Sequence, residues 1–93
     1  MKFVWDDRKA EANKSKHGIS FEEAITAFDD PCALRAPDEK HSTPTETREW
    51  LIGEADTGHV LVVVFTERLK KDVYRIISAR RASRRERRLY ENS

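Results

Sequence analysis

The sequence predicts an α+β fold with two N-terminal helices, a three- to four-stranded antiparallel sheet and a C-terminal helix, the helices lying on one face of the sheet. Helical spacing of apolar residues is seen before residue 30 and strand-like runs separated by turn signals follow it, with an arginine-rich helical segment at the end. The 93 residues, 38% of them hydrophobic, are enough for one small domain spanning residues 1–93.

The N-terminal part predicts a short strand or anchoring plug followed by two helices. Residues 3–5 (Phe-Val-Trp) form the strand or plug, and Asp6 or Asp7 caps a helix that ends at Gly18 after His17. This helix has so little apolar surface that its ends or polar contacts must hold it.

The second helix has a stronger pattern. Ser20 and Glu23 have the spacing of a capping box, and residues 29–31 (Asp-Asp-Pro) end the helix. Its apolar stripe consists of Phe21, Ala24, Ile25 and Phe28.

The middle of the chain predicts the sheet. Residues 32–36 fit an edge strand and residues 37–47 a polar loop, after which strands are predicted at 48–54, 60–65 and 73–79. Residues 56–58 form a hairpin turn and residues 68–71 a basic turn. Because residues 60–65 are apolar throughout, their strand is expected at the centre, covered on both faces. The last helix is predicted from Ser83 to about Glu91.

Composition argues against several classes of protein. Cys32 is the single cysteine, so an intramolecular disulfide is impossible, and this fits a reducing cytoplasm. Neither a metal-ligand spacing nor a glycine-rich nucleotide loop is present, so we expect no metal and no cofactor. The longest apolar run has six residues, and no membrane association is expected.

Charge is distributed unevenly, although the net charge is only +1. Residues 20–56 carry ten acidic and three basic residues, which gives −7. Residues 72–93 carry seven arginines and three acidic residues, which gives +4. The basic end can attract a polyanion, and arginine is well suited to phosphate because its planar guanidinium offers a fork of donors.

Arg75 and Arg80 are the leading candidates in this basic segment. Arg75 is expected to share a strand face with Val73 and Ile77, where a guanidinium needs a partner. That partner is either an anion in a groove or a cross-strand carboxylate such as Glu67 or Glu49. Arg80 and Arg81 follow where the strand leaves the sheet, a common location for functional residues. For Arg84, Arg85, Arg87 and Arg88 a solvated helix face is the preferred interpretation.

Histidines are the candidates for proton transfer. His17 lies where the helix dipole favours a cationic imidazole, although a capping or packing role is the alternative. His41, in the polar loop, and His59, beside a turn, are interpreted as bystanders, unless a mobile loop brings His41 over a ligand. RNA supplies its own 2′-hydroxyl nucleophile, so a metal-free ribonuclease needs only a base, an acid and cations.

The sequence resembles the BrnT toxins of prokaryotic type II toxin–antitoxin systems. The most specific segments are Lys16-His17-Gly18, followed by Ser20-Phe21-Glu22, and Arg75-Ile76-Ile77-Ser78-Ala79-Arg80. Weaker matches in the same order are residues 3–6, Asn13, 28–31, 52–53, 62–64, 66–68, 81–87 and Tyr90.

This resemblance implies a RelE-like fold and an endoribonuclease that inhibits translation. It also implies a BrnA-type ribbon-helix-helix antitoxin that neutralises the toxin in a two-plus-two complex. That complex represses its own operon, and it contacts operator DNA only through the antitoxin.

Site residues follow from the matching motifs and their chemistry. Arg75 and Arg80 are predicted to hold the scissile phosphate, with Arg68 also at the catalytic site, and His17 or Lys16 to transfer protons. RNA binding is assigned to Lys16, Arg48, Arg81, Arg84 and Arg85, of which Arg81, Arg84 and Arg85 hold flanking phosphates. Two alternatives remain: a nucleic-acid-binding module without turnover, and an interaction protein whose arginine helix docks an acidic partner.

Overall fold

A mixed β-sheet forms the centre of the fold in the computed structural model, which describes residues 1–67 and 72–93. The strands in this part of the chain are β1 (Lys2–Val4), β2 (Leu34–Pro37), β3 (Arg48–Glu54), β4 (Val60–Glu67) and β5 (Val73–Arg81). The helices are α1 (Asp7–His17), α2 (Phe21–Thr26) and α3 (Arg84–Glu91). None of the described helices is long and apolar enough to cross a membrane.

The α+β class is confirmed. The predicted sheet lacked one strand, and one helix was predicted on the wrong face of the sheet. The sheet order is β1-β5-β4-β3-β2, and β1 pairs with β5 in parallel while the other neighbours are antiparallel. The apolar pattern of residues 3–5 indicates a strand but not its partner or direction. The described part of the sheet therefore has five strands rather than three or four.

The first face of the sheet, covered by α1 and α2, carries the main core. Phe28 packs edge-on against Phe3 and Phe65, with ring centroids 4.9 and 5.0 Å apart. We call this side the covered face. Its fully buried residues include Ile19, Phe21, Ala24, Leu61, Val63, Phe65, Ile76 and Ala79.

Helix α1 is held by polar contacts, as its weak apolar pattern predicts. Asn13 is buried, and its side-chain amide donates to the Ile19 carbonyl at 3.0 Å and the Ala79 carbonyl at 2.8 Å. The Asn13 side-chain oxygen accepts from the Ala79 N–H at 3.1 Å. One asparagine thus pairs with the β5 backbone beyond the point where β1 ends. Asp6 caps the start of α1 and Gly18 ends it at φ 72°, as predicted.

Helix α2 begins as predicted but stops earlier. The Ser20 hydroxyl accepts from the Glu23 N–H at 3.0 Å, so half of the predicted capping box is present. The Glu23 carboxylate does not return to the cap, because it bonds to Thr57 and His59 of the β3–β4 hairpin. After Thr26 the chain tightens into a 3-10 turn over Ala27–Asp29.

Glycine is required where this turn meets β3. A Cβ on Gly53 would lie 2.8 Å from the Ala27 carbonyl oxygen, closer than real side chains come. The hairpin predicted at residues 56–58 is also present, and Gly58 adopts φ 89° there.

Helix α3 packs on the opposite side of the sheet, so the prediction of helices on a single face is wrong. Ala82 and Tyr90 cover a second cluster formed by Ile52, Val60 and Val62. The Tyr90 hydroxyl also donates to the Asp30 carboxylate. The even-numbered apolar residues of β4 supply this second surface, which explains why the strand is apolar at every position.

Candidate functional site

The second side of the sheet, which we call the open face, contains a groove that α3 covers only in part. Its cavity has a volume of about 570 Å³. The floor is apolar, and charged side chains from β3, β5, α3 and the 38–42 loop surround it. The lining residues are Asp38, His41, Arg48, Trp50, Ile52, Val62, Val64, Ile77, Ser78, Arg80, Glu86 and Leu89.

Strand register brings three of the predicted arginines to the open face. Thr66 of β4 pairs with Arg48 on one side and Arg75 on the other, so these three side chains share a face. The backbones of Arg48 and Arg75 are two strands apart, or roughly 10 Å. Arg80 pairs with Val62, which lies on the same face.

A β-bulge puts Arg75 and Arg80 on the same side. Residues five apart on a regular strand point to opposite faces. In β5 the register shifts between Val64 and Phe65, whose partners are Ser78 and Ile76, so Ile77 is the extra residue. The expectation that positions 73, 75, 77 and 79 share one face is therefore wrong: Ala79 is buried in the covered core.

Arg75 does not form an ion pair with either of the cross-strand carboxylates that the sequence offers it. Glu49 and Glu67 bind Arg35 instead, at 2.8 and 3.1 Å. Arg35 also lies over the rings of Phe65 and Tyr74, and its bond to Glu49 raises its pKa. Arg75 lines a separate shallow hollow with Val4, Trp5 and Asp6, and it makes no ion pair with any described residue.

Arg80 has a carboxylate partner inside the groove. Its guanidinium donates to both oxygens of Glu86, at 2.7 and 2.8 Å. The Glu86 carboxylate also accepts from the Ser83 N–H, and the Ser83 hydroxyl accepts from the Glu86 N–H, which completes a capping box at the start of α3. The bond from Arg80 lowers the pKa of Glu86 to about 2, and Glu86 raises the pKa of Arg80.

The 38–42 loop is fastened to β3 at Arg48. The Asp38 N–H donates to the Arg48 carbonyl at 2.7 Å. The Ser42 hydroxyl accepts from the Arg48 N–H at 2.9 Å and donates to the Asp38 carbonyl at 2.7 Å. His41 is thereby placed beside Arg48, whose own side chain contacts Glu46 at 3.2 Å.

Several predicted residues lie away from the groove. His17 and Lys16 end α1, which packs on the other side of the sheet, and neither lines the cavity. Arg84 and Arg85 are exposed on α3, in keeping with a solvated helix face. Arg68 lies outside the described residues, as does the basic turn predicted at 68–71.

Arg81 points to the covered side, because it pairs with the core residue Leu61. Its guanidinium donates to Nε2 of His59 at 3.1 Å, and His59 Nδ1 lies 2.8 Å from Glu23. Burial raises the pKa of Glu23, but the bonds from Thr57 and His59 and the charge of Arg81 outweigh it, so the pKa is lowered overall. His59 thus belongs to a cluster that joins α2 to the hairpin, consistent with its interpretation as a bystander.

Sequence reasoning missed Asp38, Trp50 and Glu86, which complete the groove, although it allowed for His41 on a loop over a ligand. Trp50 shares its strand face with Arg48 by simple alternation, a signal that the sequence does contain. Glu86 stands three residues after Ser83, a capping-box spacing that would have placed it at the start of α3. Asp38 and His41 are also three residues apart, but nothing in the sequence indicates that their loop folds onto β3.

Comparisons with known proteins are consistent with this picture. A family model described as the ribonuclease toxin BrnT of type II toxin–antitoxin systems matches residues 5–86. The fold is similar to the 1.1 Å crystal structure of the Brucella abortus ribonuclease toxin BrnT, with a TM-score of 0.68 and 27% identity. That match covers 90% of this chain and 99% of the Brucella chain. A comparison with curated protein sequences gave no match.

Proposed function

The chain belongs to the BrnT family of ribonuclease toxins of type II toxin–antitoxin systems, and from this premise we propose that it cleaves RNA on the open face of its sheet. The observation that carries the proposal is the arrangement of Arg48, Arg75 and Arg80 on one face of the sheet, where Arg48 and Arg80 border the apolar floor of the groove. Guanidinium groups bind phosphate oxygens, and the ring of the half-buried Trp50, which lines the groove, offers a surface on which an unstacked base can stack.

The arginines have different parts in the proposed reaction. Arg75 and Arg80 hold the scissile phosphate and stabilise the negative charge that develops on it, and Arg48 holds a neighbouring phosphate. Arg80 can exchange its contact with Glu86 for one with RNA, whereas Arg75 needs no such exchange with a described residue. Cleavage uses the 2′-hydroxyl as nucleophile and proceeds without a metal ion.

Arginine variants test this proposal. With purified chain, RNA and EDTA, we expect Arg75→Ala and Arg80→Ala each to reduce cleavage by about 100-fold, because each removes a charge from the transition state. Arg8→Ala is the matched control, since Arg8 is exposed on α1, the helix that packs on the covered face. If Arg75→Ala and Arg80→Ala cleave RNA as fast as Arg8→Ala, the open face is not the active site. RNA binding without cleavage by the wild type would instead favour the non-catalytic module.

The remaining assignments come from the family motifs and need separate variants. Proton transfer by His17 or Lys16 is such an assignment, and so is a catalytic role for Arg68. Because His17 does not line the groove, His17→Ala is informative: unchanged cleavage would exclude it as the proton-transfer group.

The proposed partner is a BrnA-type ribbon-helix-helix antitoxin. Family membership supports an antitoxin that neutralises the toxin in a two-plus-two complex, represses the operon and alone contacts operator DNA. Expression of the chain without the product of the neighbouring gene should degrade RNA and arrest translation, and co-expression should prevent both. The mass of the purified complex tests the stoichiometry, and toxicity that persists on co-expression would reject this partner.

A further inference from the structure

We propose that His41, oriented by Asp38, is the general base of RNA cleavage in the groove; this inference rests on the proposed function. His41 Nδ1 lies 3.1 and 3.0 Å from the two oxygens of the Asp38 carboxylate. A carboxylate in this position holds the imidazole with Nδ1 protonated, so that Nε2 carries the free lone pair. The pair has the arrangement of a general base and the carboxylate that orients it.

The loop that carries this pair is fixed rather than loose. Asp38 is largely buried, with 17% of its side chain exposed, and its backbone N–H is bonded to the Arg48 carbonyl. Ser42 closes the other end of the loop onto Arg48 through its hydroxyl. His41, in contrast, has 59% of its side chain exposed, so a substrate can reach the imidazole.

The surroundings of His41 match the reaction. His41 and Arg80 line the same groove, so a scissile phosphate bound by Arg80 shares the groove with the imidazole, and Arg48 lines it as well. The other charged groups of this groove are Asp38 and Glu86, and Glu86 is already paired with Arg80. His17, the histidine assigned from the family motif, does not line the groove.

The proposed reaction forms one bond to phosphorus and breaks another, and one proton is transferred with each change. Nε2 of His41 takes the proton of the 2′-hydroxyl, and the 2′-oxygen forms a bond to phosphorus. The bond between phosphorus and the 5′-oxygen breaks, and the 5′-oxygen leaves with the bonding pair and takes a proton from water. The resulting hydroxide removes the proton from His41. The products are a 2′,3′-cyclic phosphate and a 5′-hydroxyl.

The test is single-turnover cleavage of an RNA oligonucleotide in EDTA, measured between about pH 5 and about pH 9. We expect His41→Ala to reduce the rate by about 100-fold and to abolish the loss of activity on the acid side that protonation of a catalytic histidine causes. Added imidazole should restore part of the rate. Asp38→Asn should reduce the maximal single-turnover rate by about tenfold with little change in the protein concentration that gives half of it, since Asp38 only positions the base.

Controls separate this role from a structural one. Glu39→Ala removes an exposed neighbour on the same turn and should keep the rate within about twofold of the wild type. His41→Gln should behave like His41→Ala, and thermal unfolding verifies that both variants are folded.

The outcomes distinguish this inference from the proposed function. A wild type that does not cleave RNA overturns both. A cleaving wild type, together with a His41→Ala variant that keeps the acid-side loss of activity or does not respond to imidazole, overturns only the assignment of His41.

Discussion

Individual arginines in this protein differ by the carboxylates that the fold places beside them. Arg35 is held by Glu49 and Glu67, and Arg80 by Glu86. Arg75 lies near the start of the same strand as Arg80 without such a partner among the described residues. Arginine count along the sequence therefore says little about which guanidinium groups are available to bind a phosphate.

Glu86 should make stability depend on pH in acid. Its pKa is about 2 in the folded protein against an ordinary value of 4.5, so its contribution is complete above 4.5 and is lost as pH falls towards 2. We expect Glu86→Gln to lower the free energy of unfolding by only about 1 kcal/mol at pH 7, because the pair with Arg80 is partly exposed. Below pH 4.5 the difference from the wild type should shrink. Urea unfolding at several pH values measures this. Glu91→Gln, an exposed residue of the same helix, should follow the wild-type pH profile; a constant effect of Glu86→Gln would contradict the prediction.

At the scale of secondary-structure elements, two helices are each tied to a distant segment by a polar side chain. Asn13 ties α1 to β5 and the Ile19 carbonyl, and Tyr90 ties α3 to Asp30. Both side chains act on groups far away in sequence, so short helices with few apolar contacts keep a definite position.

Asn13→Ala should destabilise the protein by about 2 to 4 kcal/mol, because it leaves buried backbone groups of Ala79 and Ile19 without partners. Lys14→Ala changes the next, exposed residue and should stay within about 0.5 kcal/mol of the wild type. Thermal or urea unfolding measures both variants. Similar stabilities for the two would show that the polar contacts of Asn13 are not what holds α1.

Tyr90→Phe should loosen α3 with a smaller cost, about 1 to 2 kcal/mol, since only one hydrogen bond is removed. The bond to Asp30 raises the pKa of Tyr90 to about 12, so the hydroxyl donates throughout the neutral range. Hydrogen exchange of the α3 amides should quicken in this variant and not in Leu89→Ala, because Leu89 is 56% exposed. Unchanged exchange in Tyr90→Phe would mean that the bond from Tyr90 to Asp30 does not hold α3.

At the scale of the whole molecule, the fold separates charge that the net value of +1 conceals. The seven arginines of residues 72–93 do not form one patch: Arg75 and Arg80 face the open side, Arg81 faces the covered side, and the four arginines of α3 face solvent, namely Arg84, Arg85, Arg87 and Arg88. RNA is therefore expected to meet a few aligned guanidinium groups rather than a uniformly basic surface.

The salt dependence of RNA binding follows from the number of arginines that contact phosphates. If Arg48, Arg75 and Arg80 contact phosphates, log K against log salt should have a slope of about −2, at about 0.7 per contact on single-stranded RNA. Arg75→Ala should reduce the slope by about 0.7, and Arg8→Ala should leave it unchanged. RNA methylated at its 2′-oxygens allows the measurement without cleavage. A slope near zero would rule out these phosphate contacts.

Local chemistry in the sequence determined much of the fold, because caps, turns and apolar periods act within a few residues. Asp6, Gly18, Ser20 and Gly58 begin or end the elements that they predict. The composition of residues 60–65 indicated a central strand covered on both faces, and the family motifs indicated a ribonuclease toxin. The same motifs, together with the chemistry of the guanidinium group, were enough to select Arg75 and Arg80 as candidates.

Only the tertiary structure decided how these pieces face one another. The parallel partner of β1, the side on which α3 packs and the extra residue Ile77 in β5 depend on contacts between distant segments. The extra residue matters most, because a strand alternates with period two and one added position reverses the side of everything after it. For this reason the sequence could name Arg75 and Arg80, whereas the fold alone places them with Arg48 and His41 on the same face of the sheet.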